Sequence, residues 1–240
     1  MPPFGPEALP KTADASPDSL AGRLHGLAEQ GDAPGLLDAM RQAPAAGPEA
    51  AVALAGVVDA IHRRSEEAPE GSSAREQSEA LEQQVTYAAI KGLARAGAEH
   101  PASLGEAYAG AHSLAAKDAL CEGASATGRH HPALLALLAG HLDVNASVAA
   151  LSLAQYGDAD GRALLLGALE REVQRWQAPE DPPAACDLGS LHLEALLEAL
   201  ESFEPPTPRL WAARAEAIIA RQRGRMGAYR SMLGEPRCSP

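Results

Sequence analysis

The stretch VAALSLAQYGDADGRALLLGALE, Val148 to Glu170, decides the fold of this 240-residue chain. An apolar segment runs up to Gly157, and after a short polar turn Asp160-Gly161 opens a second apolar segment. A Gly just past a helix adopts the left-handed conformation that ends the helix without a Cβ clash. Asp at the next opening can accept from the exposed N–H groups of a new helix. A turn this short makes the two helices antiparallel neighbours. The stretch therefore reads as one helical hairpin, with Asp160 as the expected cap.

The same unit recurs along the chain. Leu27-Ala28-Glu29-Gln30-Gly31-Asp32 precedes Pro34-Gly35-Leu36-Leu37. Gly97 is read as closing the helix VTYAAIKGLARAG, with His100-Pro101 opening the next, and 31 residues later Gly128 as closing AAKDALCEGASATG, with His131-Pro132 opening the next. Pro in the first turn of a helix sacrifices nothing, because the N–H it lacks would be unpaired there. His100 and His131 are poorer caps than Asp. AVALAGVVDAIHRR, from Ala51, supplies another helix with EQSEALEQQ as its partner. LHLEALLEALESFE, from Leu191, and LWAARAEAIIARQR, from Leu210, make a last pair. One hairpin cannot bury both of its apolar faces alone, so such units stack. The expectation is an all-α chain, an α-solenoid of five to six antiparallel hairpins over residues 18–223. Looser stretches fall at 65–77 and 177–187. Residues 1–17, with five Pro, and 224–240 read as flexible tails, with Asp18 or Ser19 capping the first helix.

On these residues the chain resembles the HEAT repeat family, especially the short bacterial form also found in phycobilisome lyase-like proteins. Val148 to Glu170 and LHGLAEQGDAPGLLDAM, Leu24 to Met40, are the closest copies, and Arg162 is the candidate for the family's turn Arg. The resemblance implies that the second helix of each hairpin lines the concave side. It also implies a surface for binding another macromolecule.

Composition agrees. Aromatic residues are 3% of the chain, so the core must be Ala, Leu and Val, and β-formers are too sparse for a sheet. Only Lys11, Lys91 and Lys117 are Lys against 17 Arg, which with abundant Ala, Gly and Pro resembles the codon usage of a GC-rich genome, and a bacterial source is the expectation. The net charge of −12 is uneven: residues 1–206 carry 13 Lys/Arg and 30 Asp/Glu, while residues 207–240 carry 7 Arg and 2 Glu. An acidic body repels phosphates, which disfavours nucleic acid as the partner. The Arg run at Arg221, Arg223, Arg225 and Arg230 lacks interleaved aromatics and reads as a complement to a helix C-terminus. MPPFGPEALPK lacks a basic region followed by an apolar stretch and is not expected to act as a signal peptide, and no apolar run approaches the ~18–20 residues of a membrane span. Cys121, Cys186 and Cys238, odd in number and without CxxC spacing, fit a reducing cytoplasm.

Catalytic and metal motifs are missing. No His is followed by Glu, the pairing of the iron-binding deoxyhypusine hydroxylases built from similar repeats. His100 and His131 hold equivalent repeat positions and read as turn residues. His130 has no carboxylate at ligand spacing. Asp158 and Asp160 lack the Glu that would complete a calcium loop, because Leu169 stands there. No phosphate-cradling Gly loop and no nucleophile elbow occurs. Cys121, between Leu120 and Glu122, reads as a small buried hydrophobe. Arg171, Arg175 and Trp176 cluster late in a second helix, and such residues anchor interfaces. The chain is thus expected to be a cytoplasmic, non-catalytic scaffold or adaptor for another protein, with no cofactor or metal. Arg171, Arg175 and Trp176 are the expected contact patch. Alternatives are a lyase-like or chaperone-like factor handling a cofactor or client, and a HEAT-like DNA-repair enzyme. For the latter, Trp211 and Arg214 would join the patch, and the acidic body counts against it.

Overall fold

A computed structural model describes residues 19–177, 188–201 and 203. Among these the chain is all-helical, with no strand. No helix of the described residues is long and apolar enough to cross a membrane. The chain divides into two compact units, residues 1–141 and 142–240.

The first unit begins with α1 (Leu20–Gln30) and α2 (Ala33–Gln42), followed by a 3-10 turn over Ala43–Ala46. Ser19 is the cap of α1, its hydroxyl accepting from the Gly22 N–H at 3.0 Å. Gly31, at φ 71°, ends the helix: its N–H reaches the Ala28 carbonyl and the Asp32 N–H reaches Leu27. These paired bonds satisfy the last carbonyls of α1. The Asp32 carboxylate then accepts from the Gly35 N–H at 3.0 Å and starts α2. Gly35 leaves room for that carboxylate, which a Cβ there would displace. Two residues thus close one helix and open the next.

α3 (Glu49–Glu67) and α4 (Ser73–Glu99) form the second hairpin, joined across 68–72. The break expected over 65–77 is therefore much shorter, because the Ser72 hydroxyl caps α4 by accepting from the Arg75 N–H. EQSEALEQQ and VTYAAIKGLARAG are one continuous helix. Gly97 does not close that helix. α4 continues to Glu99, and a Cβ at 97 would lie 2.8 Å from Leu104 Cδ2 and 3.1 Å from Thr127 Cγ2. Gly97 is there for close packing, a role that leaves the same mark in a sequence as a helix stop.

α5 (Pro101–Gly110), α6 (Leu114–Ser125) and α7 (Pro132–His141) complete the unit. His100 makes no side-chain cap to α5, whereas Nδ1 of His131 accepts from the Ala133 N–H at 3.2 Å. Gly128, at φ 65°, turns the chain between α6 and α7. The packing alternates. α1, α3, α5 and α7 touch in series, as do α2, α4 and α6, and each hairpin pair joins the two rows. The two rows enclose a core of wholly buried Leu24, Leu36, Met40, Leu54, Ile61, Leu93, Leu104, Leu120, Leu134 and Leu138, with Ala between them. Each buried Leu contributes about 1.5–3 kcal/mol. Ala and Gly at the crossings let the helices approach.

Gly123 marks a tight crossing whose neighbour cannot swing away. A Cβ there would stand 2.7 Å from Leu93 Cβ, an atom fixed to the backbone of α4. Gly56, on the exposed side of α3, has nothing within 4 Å. Gly123→Ala should therefore destabilise the protein by about 1–2 kcal/mol, overpacking outweighing the gain in helix propensity. Gly56→Ala should stabilise it by about 0.5–1 kcal/mol through that same propensity. Paired thermal melts followed by circular dichroism read both. Equal signs would mean that α4 and α6 are not in close contact.

The second unit contains α8 (Ala146–Tyr156), α9 (Ala159–Gln177) and α10 (Leu188–Glu201), each touching the other two. Asn145 caps α8 and Gly157, at φ 73°, ends it. The cap of α9 is Asp158 and not Asp160. Asp158 Oδ1 accepts from the Gly161 N–H at 2.5 Å, while Asp160 already lies in the first turn. Gly157-Asp158-Ala159-Asp160-Gly161 thereby repeats Gly31-Asp32-Ala33-Pro34-Gly35 in sequence and in geometry. The expected partner of α10, Leu210 to Arg223, lies outside the described residues, as do both tails and the stretch 178–187.

Candidate functional site

A groove of about 520 Å³ runs between α2 and α4 in the first unit. Leu37 and Arg41 line it from α2, and Gln84, Tyr87, Ala88, Lys91, Gly92 and Arg95 from α4. The α4 residues form two ridges, because positions four apart share a helix face. Gln84, Ala88 and Gly92 make a low floor, and Tyr87, Lys91 and Arg95 a raised edge. Gly92 gives way to Leu54, whose Cδ1 would lie 2.7 Å from a Cβ at 92. Tyr87 is 62% exposed, the most exposed of the large apolar side chains described. Lys91 Nζ sits over its ring, 4.2 Å from the centroid, and steadies it through a cation–π contact.

The charge of this groove opposes that of the body. Three cations line it and no carboxylate does. Arg95 Nη1 donates to the Arg41 carbonyl at 3.4 Å, at the negative end of α2, which leaves four guanidinium donors uncommitted. Arg41 stands 3.9 Å from Asp38 at the rim, so part of its charge is offset. Among the described residues no carboxylate pairs with Lys91 or Arg95.

A second cluster is buried. His141, on α7, is 0% exposed and has a partner on each ring nitrogen. Nε2 meets Asp118 Oδ1, from α6, at 2.7 Å, and Nδ1 meets the Tyr108 hydroxyl, from α5, at 2.9 Å. An ionised carboxylate only accepts, so Nε2 carries the proton and the Tyr hydroxyl donates to Nδ1 in a singly protonated ring. Burial, then the neighbouring Cys121 and Asp118, push the Tyr108 hydroxyl above its usual range, which keeps it a donor. The ring of Tyr108 also meets His141 edge to face at 5.6 Å. Cys121 is fully buried, as its neighbours in the sequence imply. An Asp–His–Tyr chain resembles a proton relay on paper. Here the imidazole is enclosed, and its nitrogens are spent on tying α5, α6 and α7 together.

Asp59 is a third polar anchor, 8% exposed on α3. Its Oδ2 accepts from the His112 N–H at 3.1 Å. Its Oδ1 accepts from the Ser113 N–H at 2.7 Å and from the Ser113 hydroxyl at 2.5 Å. Ser113 in turn accepts from the Ala116 N–H and caps α6. These bonds fix the start of α6 on the middle of α3. His62, also on α3, meets Glu82 of α4 at 2.6 Å and braces the α3/α4 hairpin itself. No group of three metal-ligating side chains occurs among the described residues.

Of the contact patch expected from the sequence, Arg171 is exposed on α9, and a Cβ at Gly167 would lie 3.6 Å from its Nη1. Arg175 and Trp176 follow on the same helix, and their side chains lie outside the described residues. Trp211, Arg214, Cys186, Cys238 and the C-terminal Arg run lie outside them too. The groove was not anticipated. Its signal was the i, i+4, i+8 series of Tyr87, Lys91 and Arg95, which a charge balance taken over whole segments averages away. Comparison with protein-family models, curated proteins and solved structures gave no match.

Proposed function

We propose that this chain is a non-catalytic interaction scaffold, an array of HEAT-like helical hairpins that binds another protein. The observation that carries this reading is the groove on the second helices α2 and α4, which offers an exposed aromatic ring among cations on an otherwise acidic body. Exposed Tyr and Arg in a concavity are the residue types that dominate binding energy at protein interfaces. The alternating rows of helices in the first unit support an α-solenoid, in which successive second helices present one continuous surface. Arg171, with Arg175 and Trp176 beyond it, is a further contact surface in this reading.

The test is capture of partners by the tagged full chain from its native lysate at low and high salt, read by mass spectrometry. A stoichiometric protein should survive high salt and be lost with Tyr87→Ala. Recovery of nucleic acid alone, or of nothing above background, would overturn the scaffold reading.

A further inference from the structure

The spacing of the groove defines a narrower class of ligand. Tyr87 to Arg95 covers eight residues of helix, or about 12 Å at ~1.5 Å per residue. An extended peptide advances about 3.3 Å per residue, so roughly four steps, spanning about five residues, match this edge. Lys91 and Arg95, one helical turn apart, are separated by about 6 Å along the axis. Side chains two apart on an extended strand repeat at about 6.6 Å on one face. One further step of the same size brings the strand to Tyr87.

Resting on the scaffold reading, we infer that the α2/α4 groove takes an extended acidic peptide segment, with two carboxylates at alternate positions facing Lys91 and Arg95 and an apolar or aromatic residue two further along facing Tyr87. Arg95 has the donors for a bidentate carboxylate contact. Lys91 supplies a point charge with its stem along the ring of Tyr87. Leu37 and the low floor at Ala88 and Gly92 leave room for the peptide backbone. Nucleic acid fits less well. Its phosphates continue beyond the groove and would meet a body that carries 30 Asp/Glu against 13 Lys/Arg over residues 1–206. A short peptide places its charge only where the cations are, within about one Debye length of ~8–10 Å.

The experiment uses a displayed library of random dodecapeptides, selected on the immobilised full chain and counter-selected on Lys91→Glu. Lys91, Arg95 and Tyr87 are exposed, and circular dichroism checks that each variant keeps its helices. Selected peptides should share Asp or Glu at alternate positions, followed at the next alternate position by an apolar residue. Their affinity should fall about tenfold or more on Lys91→Glu, the effect of one charge-assisted contact, and also on Tyr87→Ala. Peptides that survive counter-selection, or that carry no paired carboxylates, would overturn the inference. The scaffold reading would survive that result if the captured protein still depends on Tyr87. Binding of a labelled dT20 oligonucleotide that is lost in the same variants would overturn the inference in favour of a phosphate ligand.

Discussion

Replacing His141 with Ala should lower the stability of the protein by about 3–5 kcal/mol, read as a fall in the urea midpoint by circular dichroism. Two costs add. The enclosed ring leaves a cavity between α5, α6 and α7, and buried truncations of this size cost about 2–5 kcal/mol on their own. The Tyr108 hydroxyl and Asp118 Oδ1 also lose their shared partner. Asp118, at 23% exposed, and the half-buried Tyr108 are both partly accessible, so water recovers some of their loss. The coupling is separable by a double-mutant cycle between His141→Ala and Tyr108→Phe, which should show about 1 kcal/mol or more of interaction. A cost below about 1 kcal/mol for His141→Ala would mean that the ring is readily replaced by solvent, contrary to its burial.

Asp59→Ala should be the second large loss, about 2–4 kcal/mol by the same measurement. The substitution strips three donors of their acceptor at once, two of them backbone N–H groups at the start of α6. No alternative acceptor is supplied by the helix itself, because His112 and Ser113 stand ahead of its first turn and their N–H groups have no partner within it. Asp59→Asn keeps one oxygen but turns an N–H₂ group toward a donor, so it should recover only part of the loss. If Asn and Ala were both near neutral, the start of α6 would be held by its own Ser113 cap, and α3 would play no part.

What could be read from the sequence was local chemistry. Gly31-Asp32 and Gly157-Asp158 were legible because everything that ends one helix and starts the next lies within five residues. The first cap was narrowed to Asp18 or Ser19 for the same reason, and the structure places it at Ser19. The all-helical class followed from the scarcity of aromatic and β-branched residues. Gly97 was misread because a left-handed turn and a close helix crossing both select Gly, and only the neighbours Leu104 and Thr127 distinguish them. Asp160 was chosen over Asp158 because both fit a cap and the helix boundary differs by two residues. The tie of Tyr108, Asp118 and His141 has no regular spacing and is set by the packing of three helices. Asp59 and Ser113 are likewise 54 residues apart. The Tyr87, Lys91 and Arg95 edge lay within reach of a helical-face reading, but the depth of the groove comes from α2.

The length of α4 carries its own consequence. Its first fully buried residue is Val85, so the twelve residues before it are helix without core. That half is held by the Ser72 cap, by the Arg75 pair with Glu79 at 2.8 Å, and by Glu82 on His62. Contributions of this kind amount to tenths of a kcal/mol to about one kcal/mol each. From Val85 onward the helix joins a core built with α2, α3, α5 and α6. A single unbroken helix therefore contains a boundary between two opening energies. Amide protons ahead of Val85 exchange through local unwinding from the Ser72 end, and those beyond it exchange only when the first unit opens as a whole. The Tyr87, Lys91 and Arg95 edge of the groove lies on the slow side of that boundary, so it should keep its shape while the helix ahead of it opens.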